Sequence, residues 1–522
     1  MYKLITMKQY SVTLIPEGLT KTFDEDTLLV DALTDMGVVL RTSCGGKGIC
    51  GKCMVKAQGG LSERTDQEKR VLKDKPGYRL ACQARLKGDV SVFHDRRDFI
   101  THKAYPLLDP NKSYSIAVDI GTTSVQLSLV DLSHKRSYEI GTFLNPQRRF
   151  GDDVITRIAA SSKPKAFGRI VHCIREEIFS TITQALKEMS LPLTSIEKIV
   201  FSGNTTMLHF LFGLDVSSMG VYPYETKCLD FDDFTLADIE ADMFSHSQIY
   251  AIPARGAFLG GDLVGGLCLC YEDGFKANTF FIDLGTNGEL FLINKADEIF
   301  ATSCAMGPAL EGMNISSGMT ADAGAITHVY EESDSLRYQM IGDGTPVGIT
   351  GTALIDIVSI FLQENIIMDS GAFARDVDRI PLLAPAIYEA TKDARQVNLW
   401  GDIALTQKDI RSLQLAKGAS LAASRFLLKA AGCTSRDVER VLIAGAFGEH
   451  LDIDHFKRLK FIPEFSNASY HFLGNTSLKA AQSACLDQGF LKKASDLRDR
   501  MHVIELSMNP DFYEEFMSAM EF

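Results

Sequence analysis

The sequence predicts an α/β protein: a small N-terminal mixed sheet around one helix, then a larger unit of two similar α/β lobes. Three observations carry this expectation. The first ninety-odd residues alternate with period two on either side of one helical stretch and a loop rich in glycine and cysteine. A strand ending in Asp, a turn through Gly-Thr and a second strand occur twice, as "AVDIGTTSV" and "FIDLGTNGE". Further strands, in "FSGNTTMLHFLFG" and "RVLIAGAFGEHLD", run through glycine-containing loops toward helices.

At 522 residues the chain has room for about two to four domains with cores of their own. Apolar residues make up 45% and charged residues 23%, ordinary for a globular protein. The net charge of −13 argues against broad nucleic-acid or anionic-membrane binding. No apolar run approaches the ~20 residues of a spanning helix. "MYKLITMKQYSVTLIP" alternates like a strand and lacks a signal peptide's apolar block, so a cytoplasmic location is expected. Eleven cysteines are then not expected to form a disulfide framework. Cys173, Cys228, Cys268, Cys270, Cys304, Cys433 and Cys485 read as small core residues. The other four need a different explanation.

"YSVTLIP" and "LTKTFDE" around "EG" predict a hairpin. "DTLLVDALTDMG" predicts a helix with Asp26 as N-cap and Gly37 as its stop. A strand "CMVKAQGG", a helical turn "SERTDQEKRVL" and strands in "YRLACQARLKGDVSVFH" follow. The cysteine spacing is Cys44-x5-Cys50-x2-Cys53-x28-Cys82. Three thiolates on one loop close around a small inorganic core only if the backbone bends sharply. Gly45, Gly46, Gly48 and Gly51 permit that and let amides point at sulfur. A structural four-cysteine zinc site is the alternative. Zinc ribbons pair two short Cys-x-x-Cys knuckles, and only one is present. The polar, Pro-containing stretch 94–114 lacks periodicity and reads as a connection. It places domain limits at 1–97, a linker at 98–112, and lobes at 113–275 and 276–522.

In the two repeats, Asp119 precedes Gly121-Thr122-Thr123 and Asp283 precedes Gly285-Thr286-Asn287-Gly288. Each tight turn offers backbone N–H groups and a hydroxyl to a phosphate, and the acidic residue beside it can hold Mg2+ through water. No Gly-x4-Gly-Lys-Ser/Thr occurs, which excludes a Walker-type NTPase. Gly445-Ala-Phe-Gly448 lets backbone approach a base and sugar, and Gly203-Asn204-Thr205-Thr206 is expected to close the first lobe. The helix in "SLQLAKGASLAASRFLLKAAG" carries small residues on one side and is expected to pack between the lobes.

The cysteine pattern resembles the plant-type and, in its five-residue first gap, the adrenodoxin-type [2Fe-2S] ferredoxins. The paired loops resemble those of the superfamily of acetate and sugar kinases, heat-shock chaperone ATPases and actin. That resemblance implies two ribonuclease-H-like lobes with ATP between them, after a β-grasp ferredoxin domain. Asp119, Gly121, Thr122 and Thr123 match the first phosphate motif, and Asp283, Gly285, Thr286 and Asn287 the second. Gly445 and Gly448 match the adenosine motif. Together with "IPARGAFLGGD", "CAMGPALEGMNISSGM" and "VLIAGAFGEHLD", the fusion resembles the reductive activators of corrinoid proteins, which serve methyltransferase and O-demethylase systems.

The resemblance implies that Cys44, Cys50, Cys53 and Cys82 hold the cluster. Asp119 and Asp283 would manage Mg2+, Thr122, Thr123, Thr286 and Asn287 would hold phosphates, and Gly203 and Asn204 would line the site. Glu289 either orients the attacking water or is a solvated strand carboxylate. The implied activity is ATP-dependent transfer of one electron to the Co(II) form of a corrinoid protein, with a low-potential donor upstream; a homodimer is compatible with it. Two alternatives stay open: a small-molecule kinase with a redox-regulatory ferredoxin domain, and an ATP-binding redox sensor. An activator of radical dehydratases would hold its cluster between subunits, against the N-terminal cysteine loop seen here. Cys304, Cys268 and Cys270 are expected in the core, and His209 and His450 in ordinary polar contacts.

Overall fold

The computed structural model describes all residues except 1–7, 16–17, 37, 39, 41–45, 47, 49–50, 52, 74, 94–107, 334, 375–387, 392–393, 446–450 and 508. The N-terminal unit begins with β1 (Gln9–Ile15) and β2 (Thr20–Asp24), antiparallel as the alternation predicts. Helix α1 (Leu29–Asp35) follows, then β3 (Met54–Leu61), α2 (Asp66–Leu72), β4 (Tyr78–Leu80) and β5 (Leu86–Phe93). The sheet order is β2-β1-β5-β3-β4, with β1 and β5 parallel, the β-grasp arrangement. Leu29, Val30, Ala32 and Leu33 of α1 are buried against Val12, Leu14, Leu80, Leu86, Val90 and Val92. Asp26 is not the helix cap. Leu28 precedes the helix without a side-chain cap, and Asp26 occupies a turn at φ +68°. Thr65 does cap α2, in a capping box with Glu68. Glu68 is fully buried and also takes Arg79 Nε at 2.9 Å and the Leu80 amide at 3.1 Å, which ties α2 to the strand leading to Cys82.

The first lobe contains β6 (Tyr114–Ile120), β7 (Ser124–Asp131), β8 (Arg136–Leu144), α3 (Val154–Ala160) and α4 (Pro164–Glu188). It continues through β9 (Ile196–Gly203), α5 (Thr205–Phe212), β10 (Gln248–Ala251) and α6 (Gly261–Glu272). Its sheet runs β10-β9-β6-β7-β8.

The second lobe opens with β11 (Thr279–Leu284), β12 (Asn287–Ile293) and β13 (Ile299–Ala305). An insertion carries β14 (Ala325–Glu332), β15 (Ser335–Met340), β16 (Gly348–Ile349) and α7 (Gly351–Gln363). Its second sheet is β17 (Tyr388–Thr391), β18 (Ala394–Trp400) and β19 (Ile403–Thr406). The lobe resumes with α8 (Gln407–Ala430), β20 (Arg440–Ala444), α9 (Ile453–Arg458), β21 (Ser469–Gly474) and α10 (Thr476–Leu486). It ends with α11 (Gly489–Asp499), β22 (Met501–Val503) and α12 (Pro510–Ser518). The sheet order β21-β20-β11-β12-β13-β22 repeats that of the first lobe, with β22 added parallel to β13. The two Asp-containing strands are therefore topological equivalents, as the sequence repeat suggests.

The lobes meet over a shared core. Ala117 and Val200 of the first sheet and Phe281, Phe291 and Leu442 of the second pack with α6 and α10. A Cβ added to Gly265 of α6 would lie 2.5 Å from Ala480 Cβ of α10, so the helices touch there almost backbone to backbone. The expectation that α8 fills this role is wrong. Helix α8 occupies the place in its lobe that α4 has in the other, a crossover on the far face of the sheet. Its small residues divide between the lobe's own core, which takes Ala416, Ala419 and Ala423, and the chain end: a Cβ on Gly418 would come within 3.0 Å of Met520, and Ala422 packs on Ala519. Gly265→Val is expected to cost about 1–3 kcal/mol by overpacking the α6–α10 contact. A denaturant titration checks this; an unchanged midpoint would show that the lobes do not rely on that approach.

Candidate functional site

Two places gather the chemically active residues. The first is the cysteine loop. Cys53 and Cys82 are both buried, and their Sγ atoms lie 3.2 Å apart, too far for a disulfide at ~2.05 Å. Cys44, Cys50 and Gly45 lie outside the described residues. Gly46, Gly48 and Gly51 have φ of +81°, +71° and +73°, the left-handed bends that the loop requires. Gln83 ties this loop to the last cysteine. Its Nε2 donates to the Gly46 carbonyl at 2.7 Å and approaches Cys82 Sγ at 3.8 Å. A side chain at position 48 would strike Gln83 at 2.8 Å. Hydrogen bonding from the Cys53 thiol, opposed by burial and aided by Gln83 and the Gly48 amide, brings the Cys82 thiol down to about 7. Facing buried thiols with amide donors aimed at sulfur suit a thiolate-bound inorganic group.

The second place is the cleft between the lobes. Loop 121–123 is anchored on its own lobe: Asn145 donates to the Gly121 carbonyl at 2.8 Å and Arg157 to that of Thr122. Asn204, the cap of α5, donates to Thr122 Oγ1 at 2.9 Å. Across the cleft, Gly203 and Gly445 occupy equivalent positions. A Cβ on either would lie 2.5 Å from a carbonyl at the end of the lobe's first strand, Ile120 and Leu284 respectively. Gly448 and His450 lie outside the described residues. His209 is buried, its Nδ1 2.8 Å from the Thr205 carbonyl oxygen.

Strand register makes the two Asp residues unequal. Asp119 pairs with Gln126 across its hairpin, whereas Asp283 pairs with Glu289. The acidic pair therefore exists only in the second lobe. Asp119 is instead held by the far lobe, accepting from Ser477 Oγ at 2.6 Å and Asn475 Nδ2 at 2.7 Å.

One cavity of about 290 Å³ joins Asp119, Asp262, Asp283, Glu289 and Glu311 with both glycine–threonine loops and Gly445. No Lys or Arg is among its described lining residues. Burial and the neighbouring Asp262, Asp119 and Glu311 push Asp283 up to about 8. Glu289 is raised well above the usual range by burial, then by Asp262 and Asp283. Asp262 is raised to about 6 by burial and Asp119. Asp119 is raised by burial, against the lowering effect of its two partners. Crowded carboxylates with no cationic side chain among the described lining residues make the cleft strongly acidic, although no three of the described Asp, Glu, His or Cys residues converge as a direct metal cage.

Sequence reading missed Asp262, Glu311, Asn475 and Ser477. Asp262 follows Gly260-Gly261 at the start of α6, and Asn475 caps α10 directly after a strand. The strand–Gly–cap signal was available for Asn475 alone, because a loop separates β10 from α6 and Asp262 lies inside that helix. Glu311 had no such signal, since its position depends on a short 3-10 turn. Cys268, Cys270 and Cys304 are buried, as expected, and burial raises all three thiols.

A β-grasp sheet with paired thiols, followed by duplicated lobes around an acidic cleft, defines an iron–sulfur protein joined to an actin-like ATPase fold. Family models match along the chain: "2Fe-2S iron-sulfur cluster binding domain" over 13–87, "RACo middle region" over 114–272, and "C-terminal domain of RACo the ASKHA domain" over 277–522. The corrinoid activation enzyme RamQ of Eubacterium limosum is 31% identical over 414 residues, 77% of this chain and 69% of that one. A [Co(II) methylated amine-specific corrinoid protein] reductase of Methanosarcina barkeri is 25% identical over 433 residues, 76% of this chain and 74% of that one. A solved reductive activator for corrinoid, iron-sulfur protein superposes with a TM-score of 0.71 at 26% identity, covering 98% of each chain. The chain belongs to this family of corrinoid-protein reductive activators. No helix among the described residues is long and apolar enough to cross a membrane.

Proposed function

We propose that the chain delivers one electron, in an ATP-dependent step, to the Co(II) form of a corrinoid protein in a methyltransferase or O-demethylase system, restoring Co(I). The observation that supports this best is the pairing, in one chain, of the buried Cys53–Cys82 contact with the acidic interlobe cleft. Cys44, Cys50, Cys53 and Cys82 would hold a [2Fe-2S] cluster, which supplies a single low-potential electron when bound. Asp119 and Asp283 would hold Mg2+ through water, with Thr122, Thr123, Thr286 and Asn287 on the phosphates. Gly121, Gly203, Asn204 and Gly285 would shape that pocket, Gly445 and Gly448 would admit the adenosine, and Glu289 would orient the attacking water. A low-potential donor would recharge the N-terminal domain, taken as 1–97, joined by the linker 98–112 to lobes 113–275 and 276–522.

Energetics favour a nucleotide in this role. Moving an electron up a gap of ~100–200 mV costs roughly 2–5 kcal/mol. A ligand that discriminates ~10⁴-fold between two lobe arrangements supplies about 5.5 kcal/mol. The test is the visible spectrum of a Co(II)-corrinoid protein mixed with the reduced chain. Co(I) is expected with MgATP and not without it. Equal reduction in both samples would remove the nucleotide from the mechanism, and phosphorylation of a metabolite would favour a kinase.

A further inference from the structure

Glu311 belongs to neither glycine–threonine loop, yet it touches both. It ends the 3-10 turn Pro308–Glu311, which is held rigidly to the second lobe. Gly312 has φ +71°, and a Cβ there would lie 2.3 Å from the Met319 carbonyl oxygen. A Cβ on Gly351 would lie 1.7 Å from the Leu310 oxygen. The Gly307 amide donates to the Thr286 carbonyl at 2.9 Å, so the turn and the second loop form one piece. From that piece, Glu311 Oε1 accepts from Thr286 Oγ1 at 2.6 Å. Its Oε2 accepts from Thr123 Oγ1, which belongs to the other lobe.

A single carboxylate thus takes one hydroxyl from each lobe, in the place where the nucleotide reading of the cleft puts the terminal phosphates. We propose that Glu311 is a built-in phosphate mimic, latching the two loops together across the cleft until the terminal phosphates of a nucleoside triphosphate displace it. This rests on the function proposed above. A phosphate offers the same two acceptor contacts with more charge, and it cannot share that space with a carboxylate because like charges repel. Displacement exchanges the Thr123–Glu311 contact for contacts to the ligand, so occupancy of the cleft resets a bond between the lobes.

Glu311→Gln keeps the shape and loses the charge and one acceptor; Glu311→Ala loses both. Calorimetry on the full chain with Mg2+ present would use ATP and AMP as probes. Both variants are expected to bind ATP about tenfold more tightly, roughly the loss of one charge-assisted hydrogen bond from the competing state. AMP, which lacks the terminal phosphates, is expected to bind all three proteins alike. ATP affinity unchanged or weakened in both variants, with wild type still binding, overturns the latch alone. Loss of AMP binding in both makes Glu311 a scaffold residue and overturns it too. A wild-type chain that binds no adenylate overturns the cleft reading and the latch with it.

Discussion

Cys82→Ser is expected to abolish corrinoid reduction while ATP affinity stays at the wild-type value. Serine removes a polarizable thiolate and leaves a hydroxyl that remains protonated at neutral pH, so the site loses a soft ligand and its charge. The damage should remain local. The N-terminal core draws on residues from Val12 to Val92, and the cores of the two lobes are built from other residues. The Arg169–Asp31 ion pair at 2.6 Å links α4 to α1, but both ends are partly exposed, and such pairs are worth ~0–1 kcal/mol. The measurements are the visible spectrum of the anaerobically purified variant, corrinoid reduction, and an ATP titration. Simultaneous loss of reduction and ATP binding would mean that the two modules do not divide the work.

Elements whose identity depends on local pattern were legible in the sequence. The β1–β2 hairpin shows its alternation, and the stretch holding α2 reads as a helical turn. The repeat of Asp-x-Gly-Thr revealed the duplication because both copies serve the same strand–turn–strand geometry. Features set by tertiary approach were not legible. Glycine 265 looks like any helical glycine until Ala480 is placed against it. Helix α8 carries conspicuous small residues that serve its own lobe's core and the chain end, because topology puts α8 outside the interlobe contact. The same limit applies in the cleft. Asp119 and Asp283 announce themselves through their loops, whereas Asp262 and Glu311 reach the site from α6 and a 3-10 turn that belong to neither loop. Glu289 is an intermediate case: its pairing with Asp283 follows once the three-residue loop 285–287 sets the hairpin register, but its burial does not.

Asp283→Asn is expected to reduce Mg-dependent ATP turnover by about 10–100-fold, the range for losing a residue that positions a metal through its outer shell, while the cluster's visible spectrum is retained. A bleached spectrum would place Asp283 in the general scaffold. The same substitution has an opposite effect on the stability of the nucleotide-free, metal-free protein. Burial and the carboxylates of Asp262, Asp119 and Glu311 raise Asp283 to about 8, whereas an unfolded Asp titrates near ~3.9. Between those values the folded state keeps a proton that the unfolded state has released. Stability therefore falls as pH rises from about 4 toward about 8, by at most ~1.4 kcal/mol per pH unit from this group. Asparagine has the shape of the protonated acid and no proton to lose. The variant should match wild type at the acid end, exceed it near pH ~8, and show a shallower slope in thermal melts between. Mg2+ should have the contrary effect on wild type, because it favours the ionised carboxylates and strengthens the cleft as pH rises. Identical slopes for wild type and variant would mean that Asp283 is already ionised in the empty cleft, and that the crowding of acidic groups there is relieved by solvent.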